Sequence, residues 1–230
     1  MHNPFASKLF KYPGIIYPCF ELEKDKKDFV EKIKSEERSI FIEYGSGSGN
    51  HLLQLADRNE KSLCVGFEIR FKRAVRTIEK GQDRGINNVI IFRSKGEAIP
   101  ELFPLAGVKG LFINFPDPWE KKRWLKHRVL TYSVVSSFFP IIAPGGFISI
   151  KTDHEEYYQT FMNELRTGIV SDSQFYIEKE TSSLPKISEI TEPDVKAGFE
   201  ENYADIESEF EKLFRGQKKN IGYCLIRKEG

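Results

Sequence analysis

Asp117 stands between Pro116 and Pro118 in the run Asn114-Phe115-Pro116-Asp117-Pro118-Trp119-Glu120-Lys121-Lys122-Arg123. Prolines on both sides fix φ, remove backbone donors and hold the carboxylate in a stiff, non-helical turn. A plain surface turn could be built the same way, but the tryptophan and the cations beside it point to a binding site. A second group is Glu43-Tyr44-Gly45-Ser46-Gly47-Ser48-Gly49-Asn50. Its alternating glycines let the backbone turn sharply and approach a ligand, and a helix that follows would offer free N–H groups. Alone, this is an ordinary strand-to-helix turn. Glu68, about twenty residues on, adds a carboxylate able to accept both hydroxyls of an adenosine ribose. Asn50 stands where a dinucleotide fingerprint would want glycine, so loop plus acid fits S-adenosylmethionine better than NAD.

The third group is Lys151-Thr152-Asp153-His154-Glu155. Thr152 or Asp153 would serve equally as the cap of a following helix. Paired with Asp117, Asp153 suits a donor-rich group that is cationic or becoming so. Guanine fits that description, with its N1–H, its exocyclic amine and the positive charge it gains when N7 is methylated. N7 carries a free lone pair and loses no proton in that reaction, so His127 and His154 are not needed as acids or bases. Trp119 has two readings, a stack on the base or a wedge in the turn.

These groups must be carried by something. Apolar runs rich in β-branched or aromatic residues occur at Ser39–Glu43, Leu63–Glu68, Asn88–Phe92, Lys109–Phe115 and Gly146–Lys151, each separated by helix-length segments. Continuous rather than alternating runs are buried on both faces, and regular strand/helix alternation implies parallel pairing through right-handed crossovers. The expectation is a Rossmann-like, doubly wound α/β sheet. Ligands of such sheets sit beyond the carboxyl ends of the strands at the switch point, so the Gly45–Gly49 loop, Asp117 and Asp153 are expected at one crevice. After Lys151 the pattern predicts a helix over Glu155–Arg166, a strand near Gln174–Lys179, an acidic helix-like segment around Glu200–Phe214 and a last strand over Asn220–Arg227. The two late strands suit an antiparallel hairpin at the sheet edge. Residues 1–38 read as an arm and an amphipathic helix, and 39–230 as a single domain.

Composition narrows the classes. Cys19, Cys64 and Cys224 are odd in number and far apart, suggesting small buried hydrophobes rather than disulfides or a zinc site. No apolar run nears the roughly 20 residues of a membrane helix, and Met1 to Phe20 lacks a signal-peptide core, which fits a reducing cytoplasm. The net charge of +1 hides an asymmetry. Lys121, Lys122, Arg123, Lys126 and Arg128 form a basic cluster free of acids, while Glu189–Glu211 is dominated by them. Such a cluster, judged on charge alone, reads first as a solvated face.

Phe115-Pro116-Asp117-Pro118-Trp119 with Lys121-Lys122-Arg123, then Thr152-Asp153, then Ser208-Glu209-Phe210-Glu211 leading into Gly216 and Tyr223 carry a resemblance. From Glu43 to Lys228 the sequence resembles the bacterial tRNA (guanine-N7)-methyltransferases. That resemblance implies a class I methyltransferase sheet of seven strands, mainly parallel with an antiparallel edge hairpin. It also implies S-adenosylmethionine as methyl donor, no metal, and tRNA as partner, methylated at the variable-loop guanosine. Glu43, Gly45, Gly47 and Glu68 would then hold the donor. Asp117 would contact the donor and take the catalytic role, and Lys121, Asp153, Ser208 and Glu211 would contact the substrate. Lys122, Arg123, Lys126 and Arg128 become phosphate contacts on this reading. Where the family usually has an acid or amide near the adenine, this chain has Ser94-Lys95, so Ser94 would offer only a hydroxyl; Ser208 replaces the usual threonine and keeps the hydroxyl. Two other readings stay open, a small-molecule or protein methyltransferase of the same fold and a catalytically silent RNA-binding partner. Monomer and homodimer are both compatible with the sequence.

Overall fold

A computed structural model describes residues 5–18, 23–172 and 174–230. Its contacts divide the chain into two compact units, Met1–Phe112 with Pro140–Ala143, and Ile113–Phe139 with Pro144–Gly230. Through Phe112 the elements are α1 (Ala6–Leu9), β1 (Ile16–Tyr17), α2 (Glu23–Lys34), β2 (Ile40–Tyr44), α3 (Asn50–Arg58), β3 (Leu63–Phe67), α4 (Phe71–Asp83), β4 (Val89–Phe92), α5 (Ile99–Leu102) and the start of β5 (Val108–Asn114). After them come α6 (Tyr132–Ser136), β6 (Ile142–Thr152), α7 (Glu155–Ile169), β7 (Phe175–Thr181), α8 (Pro193–Glu201), α9 (Glu209–Gly216) and β8 (Gly222–Lys228). The strands lie in one mixed α/β sheet in the order β1-β4-β3-β2-β5-β6-β8-β7.

In the first unit β2, β3, β4 and β1 pair in parallel, with Ile40 opposite Leu63, Cys64 opposite Val89 and Ile16 opposite Ile91. Their continuous apolar runs are buried, as runs covered on both faces must be. The expected arm and amphipathic helix correspond to α1 and α2. α2 is charged on most of its surface and turns Phe29 and Ile33 inward. Phe29, fully buried, meets Tyr17 edge-on at 5.0 Å, Phe92 at 4.6 Å and Phe103 at 5.7 Å between ring centroids. Edge-to-face pairs of this kind add to the burial of the rings themselves. Cys64 and Cys224 are buried free thiols, and burial pushes the Cys64 thiol up to about 12. Both are inert small hydrophobes. Cys19 lies outside the described residues.

In the second unit β8 pairs antiparallel with β6 on one side and β7 on the other, with a bulge between Ile177 and Lys179. This is the expected edge hairpin. Two expectations need correction. Among the described residues the sheet has eight strands rather than seven, because Ile16 and Tyr17 add a strand beside β4. Two residues are too short to show any period in the sequence. The acidic segment expected near Glu200–Phe214 is two helices, α8 and α9. Tyr203 adopts a left-handed φ of 56° after α8, and Ser208 caps α9 by accepting a hydrogen bond from the Glu211 N–H. No described helix is long and apolar enough to cross a membrane.

Phe29→Ala should lower the unfolding free energy by about 3–5 kcal/mol, as expected for emptying a buried aromatic site. The urea midpoint of the purified variant, compared with wild type, measures it. A loss below 1 kcal/mol would mean that α2 is only loosely docked.

Candidate active site

The residues singled out above divide between the two units. In the first, the turn after β2 is shaped by Gly45, Gly47 and Gly49, with φ of 69°, 56° and 78°. A side chain at Gly45 would meet nothing within 4 Å, so the backbone there lies open to a ligand. At Gly49 a Cβ would fall 2.4 Å from Thr77, because α4 packs directly on the loop. α4 also clasps it: the Thr77 hydroxyl lies 3.5 Å from the Gly47 carbonyl, and Lys80 Nζ donates to Ser48 O and Asn50 Oδ1 at 3.1 Å each. The Ser46 N–H donates to Phe67 O at 2.9 Å, tying the loop to the end of β3.

Glu68 comes directly after β3. Its side chain is buried and accepts a hydrogen bond from the Arg70 N–H at 2.7 Å. Burial raises the carboxyl's pKa, against the lowering pull of the Arg70 N–H, Arg73, the Arg70 charge and the Gly47 N–H. Glu68 and the glycine loop therefore meet, as their spacing suggested. Ser94 joins them: the Glu68 and Ser94 N–H groups both donate to Phe92 O, at 3.3 and 3.0 Å. Buried Glu43 has its Oε1 3.2 Å from Nδ1 of buried His51. The Ser46 hydroxyl is buried with no hydrogen-bond partner among the described residues. Open backbone, a spare hydroxyl and a desolvated carboxylate suit a ligand that offers hydroxyl donors.

The second unit holds the Asp117 turn. Asp117 is exposed, and two non-glycine residues around it, Phe115 and Trp119, lie in the left-handed region at φ 52° and 45°. Each such residue costs about 1–3 kcal/mol and persists only when its surroundings force it. Those surroundings are visible. The Phe115 N–H donates to Lys151 O at 2.8 Å, Arg128 Nε donates to Pro118 O at 2.7 Å, and His154 Nε2 lies 3.3 Å from Glu120 Oε1. Arg128 also covers the ring of Tyr157, whose hydroxyl accepts from the Leu130 N–H at 2.7 Å. The structure thus sets Arg128 apart from the exposed cations Lys121, Lys122, Arg123 and Lys126. Trp119 is half-buried in a cluster with Trp124 and His127, while Lys121 and Arg123 lie over the Trp124 ring at 4.8 and 4.9 Å.

Asp153 and Glu211 are held quite differently. Asp153 Oδ2 lies 2.5 Å from Lys219 Nζ at the unit's surface. Glu211 is buried, with Oε2 2.8 Å from Lys151 Nζ and Oε1 within 2.9 Å of Arg215 Nε. Fully buried Lys151 also donates to Ala204 O at 2.7 Å and Ile206 O at 3.1 Å. Burial draws its pKa below the ordinary lysine range, with Glu211 opposing. The cap before α7 is neither Thr152 nor Asp153: His154 Nδ1 accepts from the Tyr157 N–H, and the Thr152 hydroxyl accepts from the His154 N–H.

Residues 37–221 match the family described as "Putative methyltransferase". The chain belongs to this methyltransferase family. Among its relatives is a bifunctional glycosyltransferase/methyltransferase of Fusobacterium nucleatum, 32% identical over 99% of this chain and 33% of that protein. A tRNA (guanine-N(7)-)-methyltransferase of Bdellovibrio bacteriovorus is 28% identical over 81% of both chains. The chain thus spans about a third of the length of the first relative and most of the second. The 16S rRNA (adenine(1408)-N(1))-methyltransferase of Catenulisporales acidiphilia, solved with S-adenosylmethionine, shares the fold at a TM-score of 0.53 and 12% identity, over 89% of this chain and 91% of that one.

Within this methyltransferase chain, sequence reasoning passed over Thr77, Lys80, Lys151, Arg215 and Lys219. Many of their partners lie some 30 to 66 positions away, whereas the Glu211–Arg215 pair at i,i+4 had a spacing that was a usable signal.

Two outcomes follow from the burial of these charges. Because folding raises the Glu68 pKa, the ionised carboxylate is worse placed folded than unfolded. Its contribution favours the native state at low pH and is lost as pH rises from about 4.5 through the folded value. Glu68→Gln should therefore keep or raise Tm by a few degrees at pH 7 in the ligand-free protein; a clear drop in a thermal melt refutes this. Lys151→Met should cost about 3–5 kcal/mol by leaving Glu211 Oε2 and the Ala204 and Ile206 carbonyls without their buried donor, Arg215 holding only Oε1, and Lys151→Met/Glu211→Leu should recover part of it. Chemical denaturation of both variants decides. With Glu211→Leu measured as well, a loss in the double variant equal to the sum of the two single losses would leave the pair without energetic coupling.

Proposed function

We propose that this chain is a tRNA (guanine-N7)-methyltransferase, using S-adenosylmethionine to methylate the variable-loop guanosine of tRNA in the cytoplasm. The observation that carries the reading is the exposed carboxylate of Asp117 on a turn strained at Phe115 and Trp119, followed by exposed cations. Strain of this kind gathers at functional sites. Membership of a methyltransferase family and the activity named for the Bdellovibrio relative support it.

S-adenosylmethionine would supply an electrophilic methyl carbon on a sulfonium that already carries its leaving group. Gly45 and Gly47 would let the backbone approach it, Glu68 would accept its ribose hydroxyls, and Ser94 would offer a hydroxyl toward the adenine, with Glu43 behind. Guanine N7 needs no general base, so the task of the chain is in-line orientation and negative potential as charge passes to the purine. To Asp117 we assign that work. Asp153 grips the base edge by sharing or exchanging its contact with Lys219. The Ser208 hydroxyl accepts from the Glu211 N–H and keeps its own proton to donate. Glu211, with both oxygens engaged, acts on the substrate through the placement of α9. Lys121, Lys122, Arg123 and Lys126 hold phosphates, while Arg128 keeps the turn in shape.

The experiment is to incubate purified protein with labelled donor and unmodified tRNA, digest the RNA and look for N7-methylguanosine. Asp117→Asn should lower kcat by about 10²–10³ while leaving KM for tRNA nearly unaltered. Absence of N7-methylguanosine with wild type would overturn the assignment. A near wild-type rate for Asp117→Asn would reduce that residue to a part of the turn.

A further inference from the structure

α9 turns an apolar face to solvent. Phe210 and Leu213 are 40% and 52% exposed, and the Phe210 ring stacks on that of Phe214 at 6.1 Å and 20°. Residues three and four apart share one side of a helix, so the three form one patch. It is continuous with residues already assigned to the substrate. Phe214 lies 5.5 Å from Phe115 of the Asp117 turn, and Lys219 covers the Phe214 ring at 4.6 Å while pairing with Asp153.

The charge around the patch says what it would take. Lys219 lies over the Phe214 ring and Lys218 is exposed next to it in the chain, against Glu209 as the exposed acid of α9. A second copy would have to bring the same lysines against their own images, since a two-fold contact uses one patch on both subunits. An RNA strand offers what fits, flat base faces for the rings and phosphates for the lysines. The support is rigid, because the Ser208 cap and the Lys151–Glu211–Arg215 bonds fix α9 from within.

We propose that the Phe210–Phe214 face of α9 is a stacking platform for an unpaired nucleobase of the substrate RNA beside the methylated guanosine. This rests on the tRNA reading given above. Phe210 is the contacting ring, Phe214 backs it, and the flanking lysines hold the strand.

The test is tRNA affinity without methyl donor, measured by filter binding over a range of salt. Stacking on an aromatic ring gives a loss of about five-fold to a hundred-fold when the ring is removed. Phe210→Ala should show that loss with the slope of affinity against salt unchanged, since no phosphate contact is removed. Phe210→Leu, which keeps apolar bulk but has no ring face, should lose affinity likewise, and Phe210→Trp should restore it. Thermal melts of all variants check the fold, and the leucine variant serves if the alanine one is unstable. Wild-type affinity in Phe210→Ala or in Phe210→Leu overturns the platform while leaving guanine methylation by the wild type intact. So does a wild-type dimer that Phe210→Ala dissociates in sedimentation, for the patch then belongs to a second copy. A wild-type protein that neither binds nor methylates tRNA ends both readings.

Discussion

A buried ammonium ties together the segments that meet at the carboxyl ends of β5 and β6 in the second unit. Lys151 spends its donors on Ala204 O, Ile206 O and Glu211 Oε2, and its own carbonyl accepts from the Phe115 N–H. One residue thus fixes the turn between α8 and α9, the axis of α9 and the first residue of the Asp117 turn. A buried lysine is tolerable only when its charge is matched and its protons are placed, and here both conditions hold. Arg215 extends the hold outward by donating to Leu184 O at 2.9 Å as well as to Glu211.

That rigidity explains how the Asp117 turn can hold two side-chain-bearing residues in the left-handed region. A free loop would relax Phe115 and Trp119 toward ordinary backbone angles. Here the bond to Lys151 O, the Arg128 contact with Pro118 O and the Glu120–His154 pair restrain it on three sides. The exposed carboxylate therefore sits on a preorganised support, which is what electrostatic catalysis requires. In the first unit Thr77 and Lys80 of α4 restrain the glycine loop in the same manner.

Much of this was legible in the sequence, for identifiable reasons. The runs at 40–44, 63–67 and 108–114 are dominated by buried apolar residues because sheet strands covered on both faces must be. The glycine loop and Glu68 could be matched because adjacent parallel strands bring their carboxyl ends side by side. β1 could not be seen, being two residues long, nor could the break at Tyr203, where a non-glycine residue takes an αL angle. Lys151 and Lys219 look like surface cations in sequence; only the packing of chain segments more than 50 positions apart makes one an interior strut and the other a partner for Asp153. Glu211 was recognisable as important from its motif, but its direction, inward to two cations, is a tertiary fact.

β1 also bears on how the fold survives in a crowded solution. Ile15 O and Tyr17 O accept from the Ile91 and Arg93 N–H groups at 2.8 and 2.9 Å. Those donors on β4 would otherwise stand unpaired along a strand that is apolar from Val89 to Phe92, the kind of rim onto which other extended chains add themselves. The arm occupies that rim with the shortest of strands, and α2 behind it plants Phe29 against Tyr17 and Phe92. The N-terminal arm is in this sense a guard against self-assembly, folded into the sheet it protects.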